Sequence, residues 1–178
     1  MESGGVGGFP ASGPVFGTMI DAPSVHDMAN QFDLYDNGGL DICFMGALEV
    51  DRHGNVNSHR GPGAYAGIGG FANITAKTPS AVFCLTFDTK GLKVIEKDGC
   101  LSILNEGEIP KFVEEVKSIG FSGKRAVKNG QKVLYITERC IFELTKEGLA
   151  MREVYPGIDI EKDILSRLPF EVKVNLKA

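Results

Sequence analysis

An α/β fold with an antiparallel extension is what this sequence predicts, and three observations predict it. Two apolar runs of strand length, residues 40–50 and 81–87, flank a stretch with helical character at 69–77, the alternation expected of strands joined by a crossover helix. Beyond residue 90 the spacing changes to short strands joined by tight turns. Glycine and charge are also unevenly divided: residues 1–80 hold 15 of the 23 glycines but only 11 of the 42 charged residues. The first part therefore reads as a loop-rich functional face and the second as scaffold with a solvated exterior.

Element by element, residues 15–20 predict a short strand. Ser24 is a plausible N-cap for a helix over about 25–35, stopped by Asn37-Gly38-Gly39. Residues 40–50 are apolar with few breaks, which suits a buried strand, and Asp51 to Asn55 then make a turn. Residues 56–66 look irregular. A helix over 69–77 ends at Thr78-Pro79, and residues 81–87 form a strand. Strands at 92–96 and 100–104 flank Lys97-Asp98-Gly99, a strong hairpin signal. Residues 132–137, 140–144 and 149–154 read as a meander, with Lys146-Glu147-Gly148 as its second turn. Pro156-Gly157 breaks it, and Asp159 precedes a short helix over about 160–167, acidic in its first turn and carrying Arg167 in its last.

Composition narrows the function classes. At 178 residues the chain fits one domain with a core of its own. Its net charge of −4 provides no global basic field for nucleic acid or an anionic membrane, and no apolar run reaches membrane-spanning length. The N-terminus lacks the pattern of a secretory signal. Cys43, Cys84, Cys100 and Cys140 form no C-x-x-C pair, which argues against a clustered zinc site. Three of them sit in apolar runs, as small hydrophobes do, and all four read as reduced thiols in a cytoplasmic compartment.

Residues 1–17 carry the chemistry. Six glycines and two prolines surround one charged side chain, Glu2. Valines and phenylalanines threaded through the stretch argue against a solvated tail. A lone carboxylate beside bare backbone can be held against a ligand while exposed N–H groups stabilise developing charge; the bland reading is an exposed terminal acid. A second candidate is Gly67-Ile68-Gly69-Gly70-Phe71, where successive amides at a helix start can bind an oxyanion. Gly67-x-Gly69-x-x-Ala72 also matches a dinucleotide fingerprint in form, but residues 57–66 are not the strand that fingerprint requires. Asn55 and Asn57 read either as turn residues or as donors to a ligand.

Glu2-Ser3-Gly4 with Gly7-Gly8-Phe9-Pro10-Ala11-Ser12-Gly13 and Phe16-Gly17 resembles the catalytic-glutamate segment of the family I coenzyme A transferases. Further blocks follow in the family's order: Gln31-Phe32-Asp33 with Tyr35-Asp36, Gly38-Gly39-Leu40-Asp41, Asp51 with His53-Gly54-Asn55-Val56-Asn57, Gly67 to Phe71, Leu134-Tyr135-Ile136-Thr137-Glu138-Arg139 and Pro156-Gly157-Ile158-Asp159. The resemblance is greatest to the short-chain acetate, propionate and acetoacetate enzymes. It implies an open mixed sheet of the transferase type, N-terminally truncated. Family members place a whole first half, plus a strand and helix of the second, before the glutamate. On this reading residues 1–178 are the C-terminal part of the catalytic-glutamate (beta) half.

The resemblance also implies roles. Glu2 is the nucleophile that forms first an acyl anhydride and then a glutamyl-coenzyme A thioester. Gly69 and Gly70 are the oxyanion donors, with Gly67 and Phe71 in the same loop, and Asn55 or Asn57 lies near the thioester. Gln31, Asp33, Tyr35, Asp36 and Asp41 are read as structural. Coenzyme A is a substrate, with no permanently bound cofactor and no metal. The expected partners are an acyl-coenzyme A, a short-chain carboxylate and the missing transferase segments. Thioester hydrolysis on the same fold and a non-catalytic assembly half are the alternatives. A sheet lacking its first strands leaves edges unpaired, so self-association is expected, with no or trace activity of the isolated chain. The compartment is cytoplasmic, or the mitochondrial matrix in a eukaryote.

Overall fold

The computed structural model describes residues 3–11, 15, 17–61, 63–65 and 67–176. Its frame is a six-stranded mixed sheet. Numbering the longer strands in chain order, these are β1 (Ile42–Gly46), β2 (Ser80–Cys84), β5 (Lys132–Ile136), β6 (Cys140–Thr145), β7 (Gly148–Val154) and the short β8 (Lys173–Val174). A separate hairpin supplies β3 (Lys93–Lys97) and β4 (Cys100–Asn105). The sheet order is β8-β7-β6-β5-β2-β1. β1, β2 and β5 run parallel, with Val82 between Phe44 and Leu134, while β5, β6 and β7 form the antiparallel meander.

The parallel strands are joined by α2 (Phe71–Lys77) and by a long excursion that contains the β3–β4 hairpin and α3 (Gly123–Lys128). Aromatic rings fill the sheet face under α2. Phe83 lies 5.9 Å from Phe71, 4.9 Å from Phe121 and 5.3 Å from Tyr135, centroid to centroid. A second group links Phe87, Phe112 and Phe142 at 4.8 and 5.2 Å.

Most expected elements form, with instructive shifts. The helix near 25–35 is α1 (Met28–Asp36), capped by Asp27, whose Oδ1 accepts from Ala29 N–H at 2.9 Å. Ser24 is not the cap: its residue pairs with Val6 in a two-residue ladder and its hydroxyl meets His26 Nε2 at 2.9 Å. Of the strand expected over 15–20, Met19–Ile20 remains, paired with Phe9–Pro10. The run 40–50 divides into β1 and a short ladder of Glu49–Val50 with Val56–Asn57. Nor is β1 buried throughout. Among the described residues it is an edge strand; on one face Ile42 and Phe44 are 47% and 65% exposed, while Cys43 on the opposite face is buried. The strand at 81–87 stops at Cys84, and Cys84, expected in the core, is exposed. Asp98 and Gly99 both adopt positive φ, 55° and 78°, which closes the β3–β4 hairpin as Asp-Gly predicts. The terminal helix is irregular, Ile160–Ile164 followed by Leu165–Arg167, with Asp159 Oδ1 capping Lys162 N–H at 2.7 Å.

Candidate functional site

The expected site residues fall into three places. Glu2 lies outside the described residues, next to a glycine-rich segment whose described part forms short ladders: Gly5–Val6 pairs with Ser24–Val25, and His26 N–H bonds Gly4 carbonyl at 2.9 Å. That contact leaves no room for a side chain at residue 4. A Cβ on Gly4 would fall 2.0 Å from His26 carbonyl, and its φ is +92°. Glycine is therefore required two residues after Glu2.

The loop from Gly67 to Phe71 leads into α2. Gly67 and Gly69 have φ of +79° and +53°, and both are exposed, whereas Gly70 and Phe71 are buried. Phe71 fixes the far end of the loop through its ring against Phe83. The loop thus rises from a rigid aromatic base and presents exposed glycine backbone.

Asn55 lies in a locked turn, and Asn57 in the short ladder that follows it. Asp51 Oδ1 accepts from the N–H groups of His53 and Asn55, each at 3.0 Å, and Asp51 Oδ2 accepts one Asn55 amide proton at 3.0 Å. Asn55 Oδ1 takes the N–H of Gly123 at 3.0 Å, tying the turn to α3. Tyr135, fully buried, donates its hydroxyl to Gly54 carbonyl at 2.6 Å; burial and the nearby Asp51 charge push that phenol well above its ordinary range. Asn57 is also fully buried. Its amide donates to Glu49 Oε2 at 2.8 Å and Arg60 carbonyl at 2.9 Å, and its Oδ1 accepts from His59 and Arg60 N–H. All four of its hydrogen-bonding positions serve the protein itself. Glu49 also accepts from Lys117 N–H at 3.0 Å and pairs with Lys117 Nζ at 2.9 Å. Burial works to raise the Glu49 carboxyl, but these bonds and the Lys117 charge outweigh it and hold the group below its ordinary range.

Sequence reasoning missed a fourth feature, a charged cluster under the β3–β4 hairpin. Arg139 is 0% exposed. It donates to Glu138 at 2.8 Å, to Asp88 at 3.1 Å, to both oxygens of Glu106 and to Asp163 carbonyl at 2.8 Å, with its guanidinium 4.7 Å from the centre of the Phe87 ring. Arg167 also reaches Asp88, at 2.9 Å. Burial alone would lower the pKa of the Arg139 guanidinium, but Glu106 and Glu138 more than compensate. The only available signal was Glu138-Arg139 directly after an apolar strand. Around the ends of β1 and β2, Lys111 donates to Ala47 carbonyl at 3.1 Å, and burial lowers its pKa against the opposing pull of Glu138. No described helix is long and apolar enough to cross a membrane.

Comparison with models of protein families gives no match. Individual proteins do match. The chain is 43% identical over 170 residues to acetate CoA-transferase YdiF of Escherichia coli (strain K12), covering 96% of this chain and 32% of that protein. It is 44% identical over 174 residues to caffeate CoA-transferase of Acetobacterium woodii, covering 95% of this chain and 33% of the relative. In structure it resembles YdiF of Escherichia coli O157:H7, solved as a thioester complex with CoA, with a TM-score of 0.90 and 40% identity over 99% of this chain and 34% of that one. The chain therefore spans about a third of the length of these relatives. Across that third the chain is similar in sequence to these CoA-transferases and shares the fold of YdiF.

Proposed function

We propose that this chain is the nucleophile-bearing C-terminal portion of the beta half of a short-chain acyl-coenzyme A:carboxylate transferase. The observation that carries the reading is the 43% identity to an acetate CoA-transferase over 170 of the 178 residues. In the proposed sequence a Glu2 carboxylate oxygen attacks the thioester carbonyl of acyl-coenzyme A. The C–S bond breaks, coenzyme A leaves as thiolate, and a mixed anhydride remains on Glu2. The thiolate then attacks the glutamyl carbonyl, the acyl group departs as carboxylate, and Glu2 holds coenzyme A as a thioester. An incoming carboxylate reverses both steps. Attacking and departing oxygens are both carboxylate, so no strong general base is needed.

Gly69 and Gly70 are assigned the oxyanion, with Gly67 giving the loop its turn and Phe71 anchoring it. The exposed backbone of Gly69 on a buried aromatic base supports that assignment for Gly69, and Gly70 is the buried residue beside it at the start of α2. Of the two asparagines, Asn55 is the better donor to the thioester: among the described residues one of its amide protons is uncommitted, whereas both of Asn57's are used. Asn57 then holds the loop that carries Asn55. The remaining transferase segments, a short-chain carboxylate and a further copy of the protein are the proposed partners, in the cytoplasm, with coenzyme A as substrate rather than resident cofactor.

The test is exchange between acetyl- or propionyl-coenzyme A and a carboxylate acceptor by the full-length protein. Expected are acceptor-dependent exchange, a borohydride-sensitive thioester at Glu2, and loss of both in Glu2→Ala. Exchange retained by Glu2→Ala would refute the nucleophile. Acceptor-independent thiol release would mark a hydrolase, and neither reaction, with stable capture of a catalytic partner, an assembly half.

A further inference from the structure

A cleft of about 520 Å3 opens between α3, the β6–β7 turn and the 51–55 turn. Its size is within the ~300–1,000 Å3 usual for small-molecule sites. Three cationic or titratable side chains line it: Lys124 from α3, Lys146 from the β6–β7 turn and His53 from the third wall. Glu147 is its one acid, and Asn55 forms part of the wall. This runs against the charge of the whole chain, which is −4. Among the described residues neither Lys124 nor Lys146 enters an ion pair, whereas Lys90, Lys117 and Lys162 each have an acid partner. α3 adds Arg125 and Lys128 and contains no acid.

The walls are fixed to one another, so the two lysines flank a space of defined width. Leu149 N–H bonds Arg52 carbonyl at 3.0 Å, and Asn55 Oδ1 holds Gly123 N–H at 3.0 Å. The contacts are tight enough to demand glycine. A Cβ on Gly123 would fall 2.0 Å from His53 carbonyl, and one on Gly148 2.4 Å from Arg52 carbonyl. Unpaired ammonium groups around a roomy cleft in an acidic protein match a multiply charged anion.

We propose that this cleft binds the phosphate groups of an organic polyphosphate, with Lys124 and Lys146 as the principal charges. The ligand can be the nucleotide end of coenzyme A, a form that rests on the transferase reading above, or a separate phosphorylated effector.

Equilibrium binding of adenosine 3′,5′-bisphosphate, coenzyme A and pantetheine to the protein and to its Lys124→Gln/Lys146→Gln variant tests this. The bisphosphate is expected to bind, and the variant to weaken it by about 10- to 100-fold, about tenfold per charge-assisted contact. Pantetheine binding and the thermal midpoint stay unchanged, because both lysines are exposed. Coenzyme A competing with the bisphosphate supports the nucleotide form. Lysine-dependent bisphosphate binding that coenzyme A does not displace supports the cleft and a separate effector. Coenzyme A binding that is equally tight in the variant, with no loss of bisphosphate affinity, overturns the cleft and leaves the transferase reading standing. Absence of any phosphate-ligand binding at about 1 mM overturns it as well.

Discussion

Replacing Arg139 by methionine removes the centre of the charged cluster while keeping an apolar stem of similar length. The structure sets the expected cost. Arg139 is wholly buried, and its loss strips partners from groups that differ in what they retain. Asp88, 1% exposed, keeps Arg167 at 2.9 Å and the Gly107 N–H at 2.7 Å. Glu138 keeps the Phe87 N–H at 2.8 Å. Glu106 is 36% exposed at its side chain and regains water, while the buried bond to Asp163 carbonyl is lost outright. Breaking a buried ion pair by deleting one partner costs roughly 3–5 kcal/mol. Because Asp88 retains a cation, the lower end applies, about 3 kcal/mol, a large share of the ~5–15 kcal/mol that holds a domain folded. Urea unfolding reads this as a lower midpoint at unchanged slope. Adding Asp88→Asn should return at least ~1 kcal/mol as a coupling between the two sites. A loss below ~1 kcal/mol for Arg139→Met, or strict additivity of the pair, would refute the reading of Arg139 as the centre of a buried charged cluster.

Other expectations are simpler to state. Glu49→Gln should flatten the acid limb of stability: the folded carboxyl titrates below its ordinary 4.5, so its contribution is present above that value and disappears as pH falls through the folded pKa, and urea midpoints between about pH 7 and 3 measure the difference. Tyr135→Phe should cost about 1–2 kcal/mol and speed amide exchange in the 51–55 turn, because Gly54 carbonyl loses its buried donor. An aromatic disulfide reagent should label Cys84 and Cys100 in the native protein and reach Cys43 and Cys140 only on unfolding. The latter two are buried, and burial pushes the Cys140 thiol up to about 12.

What the sequence made legible was mostly local. Asp98-Gly99 announced its hairpin because the turn geometry is a property of those two residues, and the meander followed from apolar runs between turn signals. Asp51 and Asn55 were read as a turn, though not as the polar seam to α3, since Gly123 lies far along the chain. Edge status was invisible. Residues 42–46 are apolar enough for a central strand, yet among the described residues β1 is paired on the β2 side alone, and Ile42 and Phe44 are exposed. α3 escaped notice because it is six residues long, begins with glycine and carries three cations without an apolar stripe. The Arg139 cluster draws on positions 88, 106, 138, 139, 163 and 167, a convergence that no local pattern encodes. Asn57 was read as a turn residue or a ligand donor and lies instead in a short ladder, and its four internal bonds could be seen only once Glu49 and Arg60 were in position.

The position of β5 bears on how the chain is made. β5 sits between β2 and β6 in the sheet yet begins at residue 132 of 178. During synthesis from the N-terminus, β1 and β2 are complete long before the strand that closes the inner edge of β2 leaves the ribosome. For that interval the inner edge of β2 is open, and Ala81, Val82 and Phe83 are paired on the β1 side alone. The meander, by contrast, emerges as one contiguous block and can pair as it appears. Nascent chains from which residues 132–136 have not emerged leave the inner edge of β2 open, and emergence past residue 145 is the first point at which β5 has both its neighbours.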